Sequence, residues 1–182
     1  MKKTLLLLSA LVGLSSATCF ADALLLTVNA TPYDRQMDRI RPVLNTSSRS
    51  ASENTSVAVV NQWMSDLRDI PYGYQNVWKT PSEVETRNPA DCKGKAVALY
   101  QRMKANGASN VSLVIGKRAP TSKMTHAWLV WETNNGSFVL DPTFNYSATK
   151  ADKVGRNSYV PLYAYAGSKK FRAASAGLVA QN

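Results

Sequence analysis

Between Asp91 and Gly107 the sequence spells out one complete helix. Asp91 is suited to cap its start, Cys92, Ala96, Leu99 and Met103 recur at steps of four, three and four residues, and Asn106-Gly107 ends it. A single apolar stripe must be buried, and it carries Cys92 into the interior at the helix's first turn. The chain then changes period. Val111 to Ile115 reads as a strand, Lys117 to Lys123 as a basic loop, and His126 to Glu132 as a second strand of aromatic, β-branched and aliphatic residues. Asn134-Asn135-Gly136 is a hairpin turn and Phe138 to Asp141 the returning strand. One central helix followed by antiparallel strands predicts an α+β domain. Tyr159 to Tyr165, interrupted at Pro161, reads as a later edge strand. Upstream, Val57, Val60, Trp63, Met64 and Leu67 have helical spacing and Pro71-Tyr72-Gly73 stops that helix, leaving Trp78 and Pro81 to a connecting loop. Asn45 to Ser56 has almost nothing apolar, so it reads as a loop or flexible arm, and whatever precedes it is peripheral or docks as an extension.

The N-terminus reads Met1-Lys2-Lys3, then an apolar run from Leu5 to Leu14, then small residues through Ala21 and Ala23. This is the three-part pattern of a secretory signal peptide, too short to span a bilayer. Cleavage after Ala21, or two residues later after Ala23, places the mature protein in the periplasm or outside the cell. The organisation is therefore residues 1–21 as signal peptide, 22–56 as an N-terminal arm and 57–182 as one domain. Export changes the meaning of the cysteines. The chain has two, Cys19 and Cys92, and cleavage removes the first, leaving one thiol in an oxidising compartment without an intramolecular partner. It also removes Lys2 and Lys3, so 20 basic residues face 12 acidic ones and the net charge falls from +10 to +8. An exported cation encounters anionic envelope polymers, lipid head groups and acidic proteins. No zinc-finger, helix-turn-helix or RNP pattern points to nucleic acid, and no other apolar stretch is long enough to cross a membrane.

Nucleophilic thiol chemistry needs a thiolate, and the first turn of a helix favours one through its unpaired N–H groups and macrodipole. Cys92 has that position, with Lys93 and Lys95 adding positive charge nearby. A thiolate also needs an imidazole to hold it ionised and to protonate the leaving amine, and the chain contains a single histidine, His126. Asp141 is the residue to orient it, provided the hairpin register allows. A two-residue Asn135-Gly136 turn would set Val130 opposite Asp141 and leave His126 about 13 Å away along the strand. A four-residue loop from Thr133 to Gly136 puts Trp128 opposite Asp141 and brings His126 to a diagonal spacing of about 7–8 Å, within side-chain reach. The chemistry selects the longer loop. The Cys92 N–H is a natural oxyanion donor, while Gln75, Asn76 and Trp78 are candidates for a second. Trp128 and Trp131 fill either the core or a substrate wall.

Asp91-Cys92 opening a helix, His126-Ala127-Trp128 opening a strand and Leu140-Asp141-Pro142-Thr143 closing the next resemble, in that order, the core of the transglutaminase-like, papain-related superfamily. Val60-Asn61 with Trp63, Asp69-Ile70-Pro71-Tyr72, Trp78-Lys79-Thr80-Pro81 and Tyr159-Val160-Pro161-Leu162-Tyr163 are similar to the bacterial transglutaminase-like cysteine peptidases, so the resemblance covers about residues 57–172. It implies a papain/transglutaminase-like core and a Cys92–His126–Asp141 triad. It also implies a monomeric peptidase or amidase that cleaves a cell-envelope protein through a thioester. The same triad would serve an acyl transferase if an amine outcompeted water, and the same fold without chemistry would be an envelope binding module. In the best-known branch of that family, acidic residues around the cysteine bind calcium. Here Lys93 and Gly94 follow Asp91, so no cofactor is expected and calcium control is not carried over.

Overall fold

The computed structural model describes residues 19–20, 23–48, 55–155 and 157–174. Apart from residues 19–20, the expected signal peptide lies outside the described residues. In chain order the elements are β1 (Cys19–Phe20), β2 (Ala23–Thr27), a 3-10 turn (Asp38–Ile40), α1 (Arg41–Leu44), α2 (Val57–Arg68), α3 (Pro81–Glu85) and α4 (Cys92–Ala105). Then come β3 (Val111–Lys117), β4 (His126–Thr133), β5 (Gly136–Leu140), β6 (Thr149–Lys150), a 3-10 turn (Ala151–Lys153), β7 (Val160–Ala166) and β8 (Lys169–Ala173). The strands form one antiparallel sheet in the order β1-β2-β8-β7-β3-β4-β5-β6. This is the α+β architecture expected from the sequence.

α4 is the centre of the molecule. Asp91 caps it, its side chain accepting from the Gly94 N–H, and Gly107 leaves it with φ of 88°. Its apolar stripe is wider than the four residues that betrayed it, because Val97, Ala98 and Tyr100 are buried as well. α2 and α3 flank it while β3 and β4 lie beneath it, so nearly every face has a partner. β4 alternates as a doubly covered strand must: Ala127, Leu129 and Trp131 join the α4 core, while Trp128 and Val130 join a second cluster with Val139 and Ala164 on the opposite side. Trp128 and Trp131 are therefore core residues.

Three local readings are corrected. Pro81 lies in a helix and not a loop: Thr80 and Glu83 form a capping box and Pro81 takes the first helical position, a signature visible in Thr80-Pro81-Ser82-Glu83. β7 is an interior strand between β3 and β8, not an edge. Pro161 is tolerated there because the β3–β7 register slips between Ile115 and Gly116, and a bulge needs no donor at that point. Finally, the hairpin closes with Thr133 paired to Gly136 around Asn134-Asn135. Gly136 takes φ of 104°, a conformation that favours glycine. The register is nevertheless the one the longer loop required, with Leu129 opposite Leu140 and hence Trp128 facing Asp141.

The segment ahead of the polar stretch docks on the domain. β2 pairs with β8, Met37, Ile40 and Leu44 enter the core, Thr31 Oγ1 lies 2.6 Å from the Tyr165 hydroxyl and Tyr100 Oη donates to the Leu44 carbonyl at 3.1 Å.

One glycine positions the end of the sheet where β4 begins. Gly116 pairs with His126 on one side and Pro161 on the other, and a Cβ there would stand 2.1 Å from the Val160 carbonyl and 2.6 Å from Trp128 Cη2. Gly116→Ala should therefore force strand or ring apart, costing about 1–3 kcal/mol and lowering the melting temperature by several degrees. Calorimetry that finds the variant as stable as wild type would contradict this packing.

Candidate active site

The residues singled out in the sequence converge. Cys92 is the first residue of α4, buried at 8% exposure and unpaired with any other cysteine. His126 is the first residue of β4, where its ring stands close enough to Cys92 for the thiol to act on its protonation. The other side of the imidazole is fixed, since Nε2 donates to Asp141 Oδ2 at 2.8 Å. This leaves Nδ1 as the nitrogen for the thiol. Trp128 stacks against the ring at 6.0 Å between centroids and Phe144 tilts against it at 5.3 Å, so the imidazole is confined between aromatic surfaces.

Asp141 is fully buried, and its carboxylate is saturated by donors from three elements. Oδ1 accepts the Thr143 N–H at 3.0 Å, and Oδ2 accepts both His126 and the Tyr159 hydroxyl, the latter at 2.8 Å. Burial pushes the carboxyl up, but the His126 hydrogen bond and charge, with Tyr159 and Thr143, hold it below its ordinary value. Burial likewise pulls the imidazolium down, and the hydrogen bond to Asp141 with the influence of nearby Cys92 outweighs it, raising His126 from 6.5 to about 9. Tyr159 was not a candidate from sequence. Its backbone sits at φ of 55°, a region bulky side chains rarely occupy, and its N–H donates to the Arg118 carbonyl at 2.9 Å. Asn145 Nδ2 in turn donates to the Tyr159 hydroxyl at 3.2 Å. Burial, then the charge of Asp141, raises that phenol to about 12, so it remains a donor.

The lysines beside Cys92 do different work from that expected. Lys95 is buried and turns away, donating to the carbonyls of Ile70 at 2.6 Å and Arg68 at 3.4 Å, where it closes the C-terminal end of α2. Burial first, and Arg68 next, pull its ammonium below the ordinary lysine value. Lys93 pairs with Asp91 Oδ2 and donates to the Gln75 carbonyl at 2.9 Å. Asp91 Oδ2 also accepts the Gln75 N–H at 3.2 Å. Asp91 and Lys93 together thus staple the Tyr72–Val77 loop to the helix that carries the thiol. Among the second-donor candidates, Trp78 is a core residue, its indole N–H without a partner among the described residues and its carbonyl accepting from Arg39. The Gln75 backbone N–H is spent on Asp91, while its half-buried side-chain amide and the exposed Asn76 have no hydrogen bond among the described residues.

No protein-family model and no curated protein matches the sequence. Solved structures do. EGTA-treated Legionella pneumophila LapG aligns with a TM-score of 0.56 at 15% identity, covering 80% of this chain and 80% of that one. A second LapG structure gives 0.55 at 15% identity over 82% and 85%. Calcium-bound LapG gives 0.51 at 16% over 75% and 77%. At such identities the finding is one of fold: the papain/transglutaminase-like core anticipated from the three sequence boxes is the fold this chain shares with LapG.

Because the chain has one histidine, an imidazole NMR titration reports His126 alone. The expected midpoint is about 9, falling toward 6.5 in Asp141→Asn. A folded-state value above the ordinary one gives stabilisation that is complete below pH 6.5 and lost as pH rises through about 9. Asp141, held low, contributes stability above its ordinary 3.8 that disappears as pH falls. A midpoint of 6.5 in the wild-type protein would mean the Asp141–His126 pair does not exist in solution.

Proposed function

We propose that this protein is an exported cysteine peptidase that cleaves an amide bond in a cell-envelope protein, with Cys92 as nucleophile, His126 as acid and base, and Asp141 as the group that orients the imidazole. The observation that carries this reading is the convergence of Cys92, at the first turn of α4, on the chain's one histidine, whose Nε2 donates to a buried carboxylate. The fold shared with LapG supports it. Export is supported by the N-terminal leader pattern, and no helix among the described residues is long and apolar enough to cross a membrane.

In this reading the Cys92 sulfur attacks the scissile carbonyl carbon, forming a C–S bond as the C–N bond breaks. The imidazolium gives its proton to the departing amine. Neutral His126 then takes a proton from water, whose oxygen attacks the thioester carbon and releases the acid and the Cys92 thiolate, restoring the thiolate–imidazolium pair. The Cys92 N–H belongs to the unpaired first turn of α4 and is the oxyanion donor. Tyr159 and Asn145 act through Asp141 as positioning residues, because the phenol fixes the carboxylate oxygen that His126 uses.

The resemblance raises calcium, and the residues beside Cys92 do not fit it. Asp91 is the carboxylate there, and its oxygens are occupied by two backbone N–H groups and the Lys93 ammonium. An ammonium and a helix cap fill the position where an oxygen cage would need anionic ligands. Among the described residues, no three His, Cys, Asp or Glu side chains are grouped to hold a metal ion.

Two measurements test these statements. Terminal-labelling proteomics of released envelope fragments should show cleavage products in a strain carrying the wild-type gene and none with Cys92→Ala. His126→Ala should be nearly as severe, and Asp141→Asn should lose roughly 10²–10⁴-fold, because every group facing Asp141 is a donor that an amide nitrogen cannot satisfy. Identical fragment patterns with folded Cys92→Ala would sink the enzyme reading. Separately, EGTA should leave the melting temperature unchanged, whereas Lys93→Met should lower it by loosening the Tyr72–Val77 loop. A large drop on chelation would show that a metal holds the site.

A further inference from the structure

The loops that bear the triad also bear most of the large apolar side chains left in water. Tyr72, Tyr74 and Val77 precede Cys92, Met124 stands two residues before His126, and Phe144 and Tyr146 follow Asp141; of the described residues in this class, only Leu26 and Val59 lie elsewhere. The rim is not uniform in charge. Lys117 ends β3, and the β3–β4 connection that leads from it into His126 contains Arg118 and Lys123 and no acidic residue; none of the three cations is in an ion pair among the described residues. Arg118 is exposed, yet it is held in place. Its guanidinium lies 4.0 Å from the Phe144 ring centroid and 5.8 Å from that of Tyr159, and Phe144 itself covers the imidazole at 5.3 Å.

The chemistry determines which part of a substrate meets this cation. The imidazolium must hand its proton to the departing amine, so the chain that follows the scissile bond runs across His126 and then over Phe144. An extended peptide advances 3.3–3.6 Å per residue, so it reaches the guanidinium within about three residues. Stacking on Phe144 leaves the guanidinium edge free for a carboxylate, which it can take in bidentate fashion. We infer that Arg118, stacked on Phe144, binds an acidic side chain of the peptide substrate just after the scissile bond. This rests on the peptidase reading and deepens it, naming an acidic segment as the feature recognised on the leaving-group side.

The new N-termini of the Cys92-dependent fragments read that side of the substrate directly. Asp or Glu is expected within about the first three residues. If no Cys92-dependent terminus arises, the peptidase reading falls and this inference with it; if termini arise without acidic residues there, the inference alone falls. A peptide spanning the site is then compared with its Gln or Asn isostere on the same enzyme sample. The ratio of kcat/KM, acid over amide, should be about fivefold in the wild type at low salt and shrink as salt is added. It should drop to about one in Arg118→Gln, invert in Arg118→Glu and survive in part in Arg118→Lys. Because each ratio compares two peptides on one preparation, partial unfolding of a variant cancels. An unchanged ratio in both Arg118→Gln and Arg118→Glu overturns the assignment.

Discussion

The Asp141 carboxylate is where the sheet, the site and the chemistry meet. A buried anion is costly unless every lone pair it exposes finds a donor. Here the donors come from the turn that follows β5, from the first residue of β4 and from the residue that leads into β7. Each fixes a different part of the fold. The Thr143 N–H sets the turn, His126 sets the hairpin register, and Tyr159 is drawn into a left-handed conformation at the mouth of β7. The same three bonds keep the carboxylate ionised, and an ionised carboxylate keeps the imidazole protonated to about 9. Stability and reactivity at this end of the sheet thus have one electrostatic origin, and a substitution that disturbs one disturbs the other.

The thiol side of the cleft is organised by a second carboxylate with a different logic. Asp91 first serves α4 as its cap, which is local and readable in sequence. Its remaining oxygen gathers the Gln75 N–H and the Lys93 ammonium, which are not readable, because sixteen residues and a helix separate Gln75 from Asp91. Lys93 itself looked like a general source of positive potential beside the cysteine. Its structural role is narrower, since its charge is largely spent on Asp91, while Lys95 points to the far end of α2. Charge counted along a helix overstates the field at a thiol when side chains of four carbons carry that charge elsewhere.

What could be read from the sequence was what local physics decides. The α4 stripe, its cap and the β3–β4–β5 run follow from periodicity and turn chemistry, and all are found; the hairpin register came instead from the His126–Asp141 pairing it allows, since an Asn135-Gly136 turn would have set Val130 opposite Asp141. The register survived although the loop closes one pair tighter than expected, because an Asn134-Asn135 turn and a Thr133–Gly136 loop share one centre and so set the same residues opposite each other. The α3 capping box was present in Thr80 to Glu83 and was overlooked through attention to Pro81 as a breaker. β2 and β8 could not be read at all: Ala23 to Thr27 looks like the tail of a leader, and Lys169 to Ala173 has three basic residues in five. β8 forms on the edge that β7 offers, and β2 on the edge that β8 then offers. For the same reason Pro161 misled, since in a strand it argues for an edge until a bulge supplies the exception.

Tyr159 shows why the last part of a site is hardest to see. Its sequence neighbourhood reads as a strand, and nothing in strand periodicity marks a residue that must leave the β region to aim a phenol backwards. The signal exists only in three dimensions, where the bulge at Pro161 shifts β7, Gly116 lets the chain pass within van der Waals contact of Trp128, and the Arg118 carbonyl captures the Tyr159 N–H. That capture ties the basic β3–β4 connection to the phenol that holds Asp141, since one residue, Arg118, contributes its carbonyl to Tyr159 and its guanidinium to the ring over His126. In the proposed mechanism, recognition of substrate charge and orientation of the imidazole therefore share a single backbone segment, so remodelling the connection that begins at Arg118 would also move the group that holds Asp141 in place.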